Sequence, residues 1–254
     1  MVVTKADEDR ISELHFLMSN ADRRKIIEEL LTQSLKLGEV AKKLDITATE
    51  AFRQLQRLTD AGFLERTSEG KYRSTPYSRL ILESSAAMDF LSRHREYFLC
   101  HDTSLIPPQF RARFGELSKA VLYTEMVPNI NTGTGVLKDA EERIDVMADQ
   151  SLEQHGQIIR QRIQKDGIKV RTLVQESLLE SIKGDLITAD SGEMRCIPRV
   201  CGVLIMTEKI MGISLPNLDG KMDYQVFAGN DPESMRWAGD LFEDQWNRAR
   251  PCRL

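Results

Sequence analysis

The sequence is poor in cysteine, histidine and tryptophan, with four, four and two of them among 254 residues. Cys100, Cys196, Cys201 and Cys252 are too few to staple a chain of this length, which excludes a disulfide framework. No apolar run approaches the roughly 20 residues needed to cross a bilayer. The opening stretch, Met1 to Arg10, is polar and acidic, which excludes a secretory leader. A cytoplasmic protein with free thiols is expected. Charge of one sign is lacking too: 35 Lys and Arg against 39 Asp and Glu leave a net charge of −4, which excludes coating nucleic acid by bulk electrostatics. Internal repeats and low-complexity tracts are absent. What remains is ordinary for a globular chain, 41% hydrophobic and 29% charged, and long enough for two cores.

The two halves differ in period. Up to Leu64 the apolar residues recur at helical spacing: Ile11, Leu14, Leu17 and Met18, then Ile26, Ile27, Leu30 and Leu31. A short helix follows over Leu37 to Leu44. The next opens at Thr47-Ala48-Thr49-Glu50, a capping box in which threonine accepts from the third amide and Glu50 reaches back. Its buried stripe is Ala51, Leu55 and Leu58, and Ala61-Gly62 closes it. Phe63 to Arg66 and Lys71 to Arg73 read as two strands joined by a turn at Thr67 to Gly70. Past Pro76, a helix from about Ser78 to Phe98 carries a broad apolar face with Leu80, Ile81, Met88 and Leu91, wide enough to suggest a second chain. Pro107-Pro108 marks the next boundary. Beyond it, strands alternate with helices and the chain closes on a helix over Pro232 to Arg248.

Two helices, a tight turn and a hairpin make a winged helix-turn-helix, whose second helix can enter a DNA major groove. With Ala51, Leu55 and Leu58 buried, the exposed positions are expected to be Thr49, Arg53, Gln54, Gln56 and Arg57. Arginine pairs with guanine, glutamine with adenine, and threonine with either a polar edge or a thymine methyl. The helix start at Thr47 offers amides to a phosphate, and the cations of Arg66, Lys71 and Arg73 in the wing are placed to reach phosphates or a minor groove. Phe52 has two readings, packed against Leu44 or set at the groove. Residues 1–75 hold thirteen basic and thirteen acidic side chains, so binding should be modest and site-dependent.

The stretch Leu37 to Arg73, with Glu39-Val40-Ala41-Lys42-Lys43-Leu44, Arg53-Gln54-Leu55-Gln56-Arg57-Leu58 and Ala61-Gly62-Phe63-Leu64, resembles the winged helix of ArsR-type and TrmB-like archaeal regulators. The second half resembles the domain attached to such winged helices in archaeal regulators of methanogenesis, through Leu215-Pro216, Asp219-Gly220-Lys221, Asp223, Asp231-Pro232, Trp237, Leu241-Phe242 and Trp246. That domain is similar in fold to half of the phospholipase-D-like enzymes, which need a His-x-Lys pair. His15, His94, His101 and His155 all lack the lysine two residues on, and Gly133-Thr134-Gly135 lacks the rest of a phosphate loop. The expectation is therefore no enzyme, no cofactor and no catalytic residue.

The fold expected is an α+β winged helix-turn-helix over 1–76, a linker or dimerisation helix over 77–106, and an α/β effector or assembly domain with a mixed sheet over 107–254. The function implied is a homodimeric, sequence-specific regulator that binds double-stranded DNA and responds to a small-molecule effector, with no membrane partner. Two alternatives stay open: a metal- or redox-responsive repressor, and a winged-helix protein-interaction module. His94, Cys100, His101 and Asp102 would supply the metal ligands, although their spacing matches no known ligand pattern. Cys196 and Cys201 are either a redox pair or two buried thiols. Trp237, Leu241, Phe242 and Trp246 read as core, and Leu215 to Asp223 as a turn that leaves open whether it borders a ligand pocket.

Overall fold

The computed structural model describes residues 4–150, 153–179 and 192–252. The chain divides into two compact units, Met1–Ser85 and Ala86–Leu254.

The first unit contains α1 (Lys5–Met18), α2 (Ala21–Thr32), α3 (Leu37–Leu44), α4 (Ala48–Asp60) and the hairpin strands β1 (Leu64–Arg66) and β2 (Tyr72–Ser74). The strands pair antiparallel, and Leu35 bridges to Tyr72 to extend the wing. Ile26, Ile27, Leu30, Val40, Leu55 and Leu58 are the centre of its core. The end of α4 is a Schellman motif: Phe63 N–H donates to the Leu58 carbonyl at 2.8 Å and Gly62 N–H to the Thr59 carbonyl at 3.0 Å. Gly62 takes φ +77°, a conformation that costs a side-chain-bearing residue stability, so glycine is what lets the chain turn into the wing here.

Helix α5 (Pro76–Arg93) runs through the boundary between the units, and α6 (Arg95–Cys100) follows. The single helix expected over Ser78 to Phe98 is thus two helices, broken at His94 with φ −107° and ψ 30°. The His94 ring packs 4.8 Å from the Phe90 ring and 4.9 Å from Phe227, so aromatic packing replaces helical continuity.

The second unit adds α7 (Pro108–Arg111), β3 (Val121–Tyr123), α8 (Met126–Asp139), β4 (Arg143–Ala148), α9 (Glu153–Asp166) and β5 (Lys169–Gln175). It ends with β6 (Glu193–Ile197), β7 (Val203–Thr207), β8 (Met211–Ser214), β9 (Val226–Gly229), α10 (Pro232–Arg248) and β10 (Arg250–Pro251). One mixed eight-stranded sheet runs β10-β6-β5-β4-β7-β8-β9-β3, with β4, β5 and β6 parallel and the other pairs antiparallel. Helix α10 covers one face. Trp237, Leu241 and Phe242 are wholly buried there, together with Phe90, Tyr97 and Ile106 from the segment before α7. Helices α8 and α9 cover the other, where Leu137, Ala140, Ile158 and Ile159 meet Ile144, Val146 and Val170. A buried ion pair ties the layers: Arg171 on β5 grips Asp145 on β4 at 2.8 and 3.0 Å, reaches Glu243 on α10 at 2.7 Å, and lies 4.8 Å from the Phe242 ring.

Two histidines make this unit acid-sensitive. Burial, helped by Arg93, holds the His94 imidazole below its ordinary pKa; burial does the same to His155 on α9. The native rings stay neutral while the unfolded chain takes up protons, so their contribution is present above about pH 6.5 and lost as pH falls toward the depressed native values. The thermal midpoint should therefore decline between pH 6.5 and 5, and His94→Gln with His155→Gln should flatten that decline. Parallel profiles for the two proteins would contradict the assignment.

Candidate nucleic-acid interface

Helix α4 is presented by α3 across a three-residue turn. Asp45 takes φ +54° to close α3, and the Ile46 amide donates to the Ala41 carbonyl at 3.0 Å. The Thr47 hydroxyl then accepts from Glu50 N–H at 3.1 Å, as the sequence leads one to expect. The return half of the expected capping box is missing, because the Glu50 carboxylate instead accepts from Gln54 and lies 3.4 Å from Arg53.

That contact corrects one expected base reader. Gln54 is 3% exposed, not solvent-facing. Its amide donates to Glu50 and its carbonyl accepts from Arg23 Nη1 at 3.3 Å, so it is spent on holding α4 to α2. Arg23 is itself buried: Nε donates to the Leu17 carbonyl at 2.8 Å, Nη2 donates to the Phe16 carbonyl, and the guanidinium lies 4.7 Å from the Phe16 ring. Its pKa is lowered by burial and by Arg57.

The other expected positions are on one exposed face of α4: Thr49, Arg53, Gln56 and Arg57, with Thr47 at its start. Phe52 is 52% exposed among them, which resolves its two readings in favour of the open face. Gln56 donates to Asp60 at 2.7 Å, and Arg57 lies 5.9 Å from the Phe16 ring. In the wing, Arg73 pairs with Glu65 at 2.6 Å and Lys71 with Glu69 at 3.0 Å, the latter raising the Lys71 pKa. Arg66 lies over the Tyr72 ring at 5.9 Å. These pairs are exposed and well solvated, so a phosphate can displace the acid at small cost.

The structure does not gather His94, Cys100, His101 and Asp102 into one site. His94 is packed among aromatic rings, Cys100 is exposed, and the Asp102 carboxylate accepts from Ser104 at 2.7 and 2.9 Å. His101 stacks 3.6 Å from the Tyr97 ring, with Nε2 3.2 Å from Asp223 Oδ2. Among the described residues no group of three such side chains could hold an ion. Cys196 and Cys201 are buried in different clusters, so they are separate thiols; burial pushes Cys201 up to about 12.

Residues 134–248 match the middle domain of the methanogenesis regulatory protein FilR1. No curated protein matches the sequence. Among solved structures, the chain is similar to TrmBL2, an archaeal chromatin protein, at 14% identity over 95% of this chain and 99% of that one, with a TM-score of 0.43. It is similar to a homodimeric winged helix-turn-helix DNA-binding domain from Mycobacterium bovis, a possible ArsR-family regulator, at 21% identity over 37% and 92%, with a TM-score of 0.31. It is also similar to Nuc, a phospholipase D family member from Salmonella typhimurium, at 13% identity over 53% and 99%, with a TM-score of 0.42.

Proposed function

We propose that the chain is a sequence-specific, homodimeric DNA-binding transcriptional regulator whose second unit binds a small effector and performs no catalysis. The observation that carries this reading is the exposed face of α4. Thr49, Phe52, Arg53, Gln56 and Arg57 stand clear of a helix whose underside is fixed by Ala51, Gln54, Leu55 and Leu58. In this reading Arg53, Gln56 and Thr49 contact base edges, Phe52 meets thymine methyls, and Thr47, Lys71 and Arg73 contact phosphates. Gln54 is withdrawn from that set and assigned a positioning role. The match of residues 134–248 to a regulatory protein's domain supports the same reading.

Dimerisation is supported by α5, which exposes Leu80, Met88 and Leu91. Two recognition helices would then enter adjacent major grooves about 34 Å apart.

The test is binding of the purified chain to the DNA upstream of its own gene and to a scrambled duplex, across a salt series. The expected result is preference for the upstream DNA with a shallow salt slope, because residues 1–75 are neutral overall and few cations are assigned to phosphates. Equal binding to both duplexes at every salt concentration would contradict sequence reading by α4.

A further inference from the structure

A cavity of about 250 Å³ lies between the sheet and helices α8 and α9, wholly inside the second unit. Its floor is an in-register row across five strands: Ala228, Gly212, Ile205, Val146 and Thr172. Ile130, Val136 and Ile159 line it from the helices, so the walls are mainly apolar.

Asn129, Gln150, His155 and Arg160 are polar members of the lining, and four further polar atoms stand apart from these. Asp149 Oδ1, Thr172 Oγ1, Ser214 Oγ and Tyr224 Oη are buried and have no hydrogen-bond partner among the described residues, and all four residues line this cavity. Thr172, Ser214 and Tyr224 are more than nine-tenths buried. Folded chains rarely leave such atoms unpaired, since each forfeits its hydration without compensation. Among the described residues His94 Nε2 and Arg162 Nε are unpaired likewise, and neither residue lines any part of it.

Three of the four share one end. Asp149 follows the last residue of β4, Ser214 is the last residue of β8, and Tyr224 precedes β9 by two. This is the end of the sheet where β4 terminates, and open α/β sheets bind ligands beyond the carboxyl ends of their parallel strands. Tyr224 is held there in a conformation unusual for a bulky residue, φ +58°, with its carbonyl accepting from Asn129 Nδ2 at 2.8 Å. Burial raises the Asp149 pKa, and burial together with the Asp149 charge raises that of Tyr224. Arg160 lines the cavity but already has an interaction of its own.

From this geometry we infer that the cavity binds a small, largely apolar molecule whose hydrogen-bond-donating head, uncharged or cationic, meets Asp149, Ser214 and Tyr224. Thr172 marks the inner limit of the polar region, and the apolar floor takes the tail. An anionic head is rejected, because it would face the Asp149 carboxyl across a poorly solvated space. That such a ligand serves as the effector rests on the DNA-binding reading; occupancy of the cavity does not.

Hexan-1-ol, hexylamine and hexanoate, titrated into the full chain without DNA and followed by calorimetry and by methyl resonances of Val and Ile, test this. The alcohol and amine should saturate, and hexanoate should bind at least about tenfold more weakly. Tyr224→Phe and Ser214→Ala should each weaken the alcohol by roughly three- to tenfold. Without probe, Thr172→Val and Ser214→Ala should hold or raise the melting temperature, the opposite of what loss of a structural hydrogen bond would do. Ala148→Leu and, separately, Val203→Leu should fill the cavity and abolish saturation. Failure of both alcohol and amine to saturate, equal binding by hexanoate, or undiminished binding by both filled variants would overturn the inference. Probe binding in a chain that ignores DNA would remove the regulatory role and keep the site; selective DNA binding without probe binding would do the reverse.

Discussion

Replacing Trp237 with alanine is expected to destabilise the second unit by about 3–5 kcal/mol, the range for emptying a buried aromatic site. The indole is wholly buried under the sheet, and its Nε1–H donates to the Phe110 carbonyl at 3.0 Å. Its ring lies 5.9 Å from Phe114 and 6.4 Å from Phe110, so α10 and α7 are fastened through one side chain. Alanine removes the packing and one of the two hydrogen bonds to the Phe110 carbonyl, which keeps the Arg113 N–H at 3.1 Å. Trp237→Phe keeps most of the volume and should cost roughly 0.5–1.5 kcal/mol, chiefly through the lost indole hydrogen bond. Denaturant midpoints of the two variants measure the difference; equal losses would mean that the hydrogen bond outweighs the packing.

Arg23→Met is the second large effect, with an expected loss of about 3 kcal/mol from the first unit, since buried acceptors deprived of a donor cost about 1–3 kcal/mol each. Methionine keeps the aliphatic stem but leaves the Leu17 carbonyl and the Gln54 side-chain carbonyl without their Arg23 donor, and the Phe16 carbonyl with the Ser19 hydroxyl at 2.8 Å. The consequence reaches the interface, because Gln54 carries the link from α2 to α4. DNA binding should weaken for specific and scrambled duplexes alike, since orientation is lost and no base contact is removed. A variant that unfolds normally yet loses only sequence preference would place Arg23 at the bases and contradict the positioning role.

This pair of residues also marks the limit of what the sequence discloses. Thr47 as cap and Gly62 as terminator are local signals, and both act as such. Gln54 is three residues from Ala51 and four from Leu58, on the margin of the buried stripe. What takes it inside is Arg23, 31 residues away, a long-range partner that helical periodicity cannot register. Helix α8 escaped notice for a different reason. Its sequence carries Pro128, Gly133 and Gly135, all poor helix formers, and it is held by burial of Thr134 and Leu137. Strand β6 reads as polar because Arg195 interrupts it, yet that guanidinium lies 4.6 Å from the Trp246 ring and donates to its carbonyl at 3.0 Å. The closing helix was plain, since Trp237, Leu241, Phe242 and Trp246 fall on one face and are all buried. The cavity left no local trace at all: its four unpaired atoms come from four separate segments that only the sheet brings together.

The central claim is that the exposed face of α4 reads DNA sequence, and Arg53→Ala tests it most directly. Arg53 is exposed and paired only with Glu50 across a helical turn, so its removal should leave folding unchanged. The measurement is the ratio of affinities for upstream and scrambled duplexes, wild type against variant, at one salt concentration. The ratio is expected to fall by about 5- to 150-fold, equivalent to about 1–3 kcal/mol for a lost base contact. An unchanged ratio, or an equal loss on both duplexes, would contradict it.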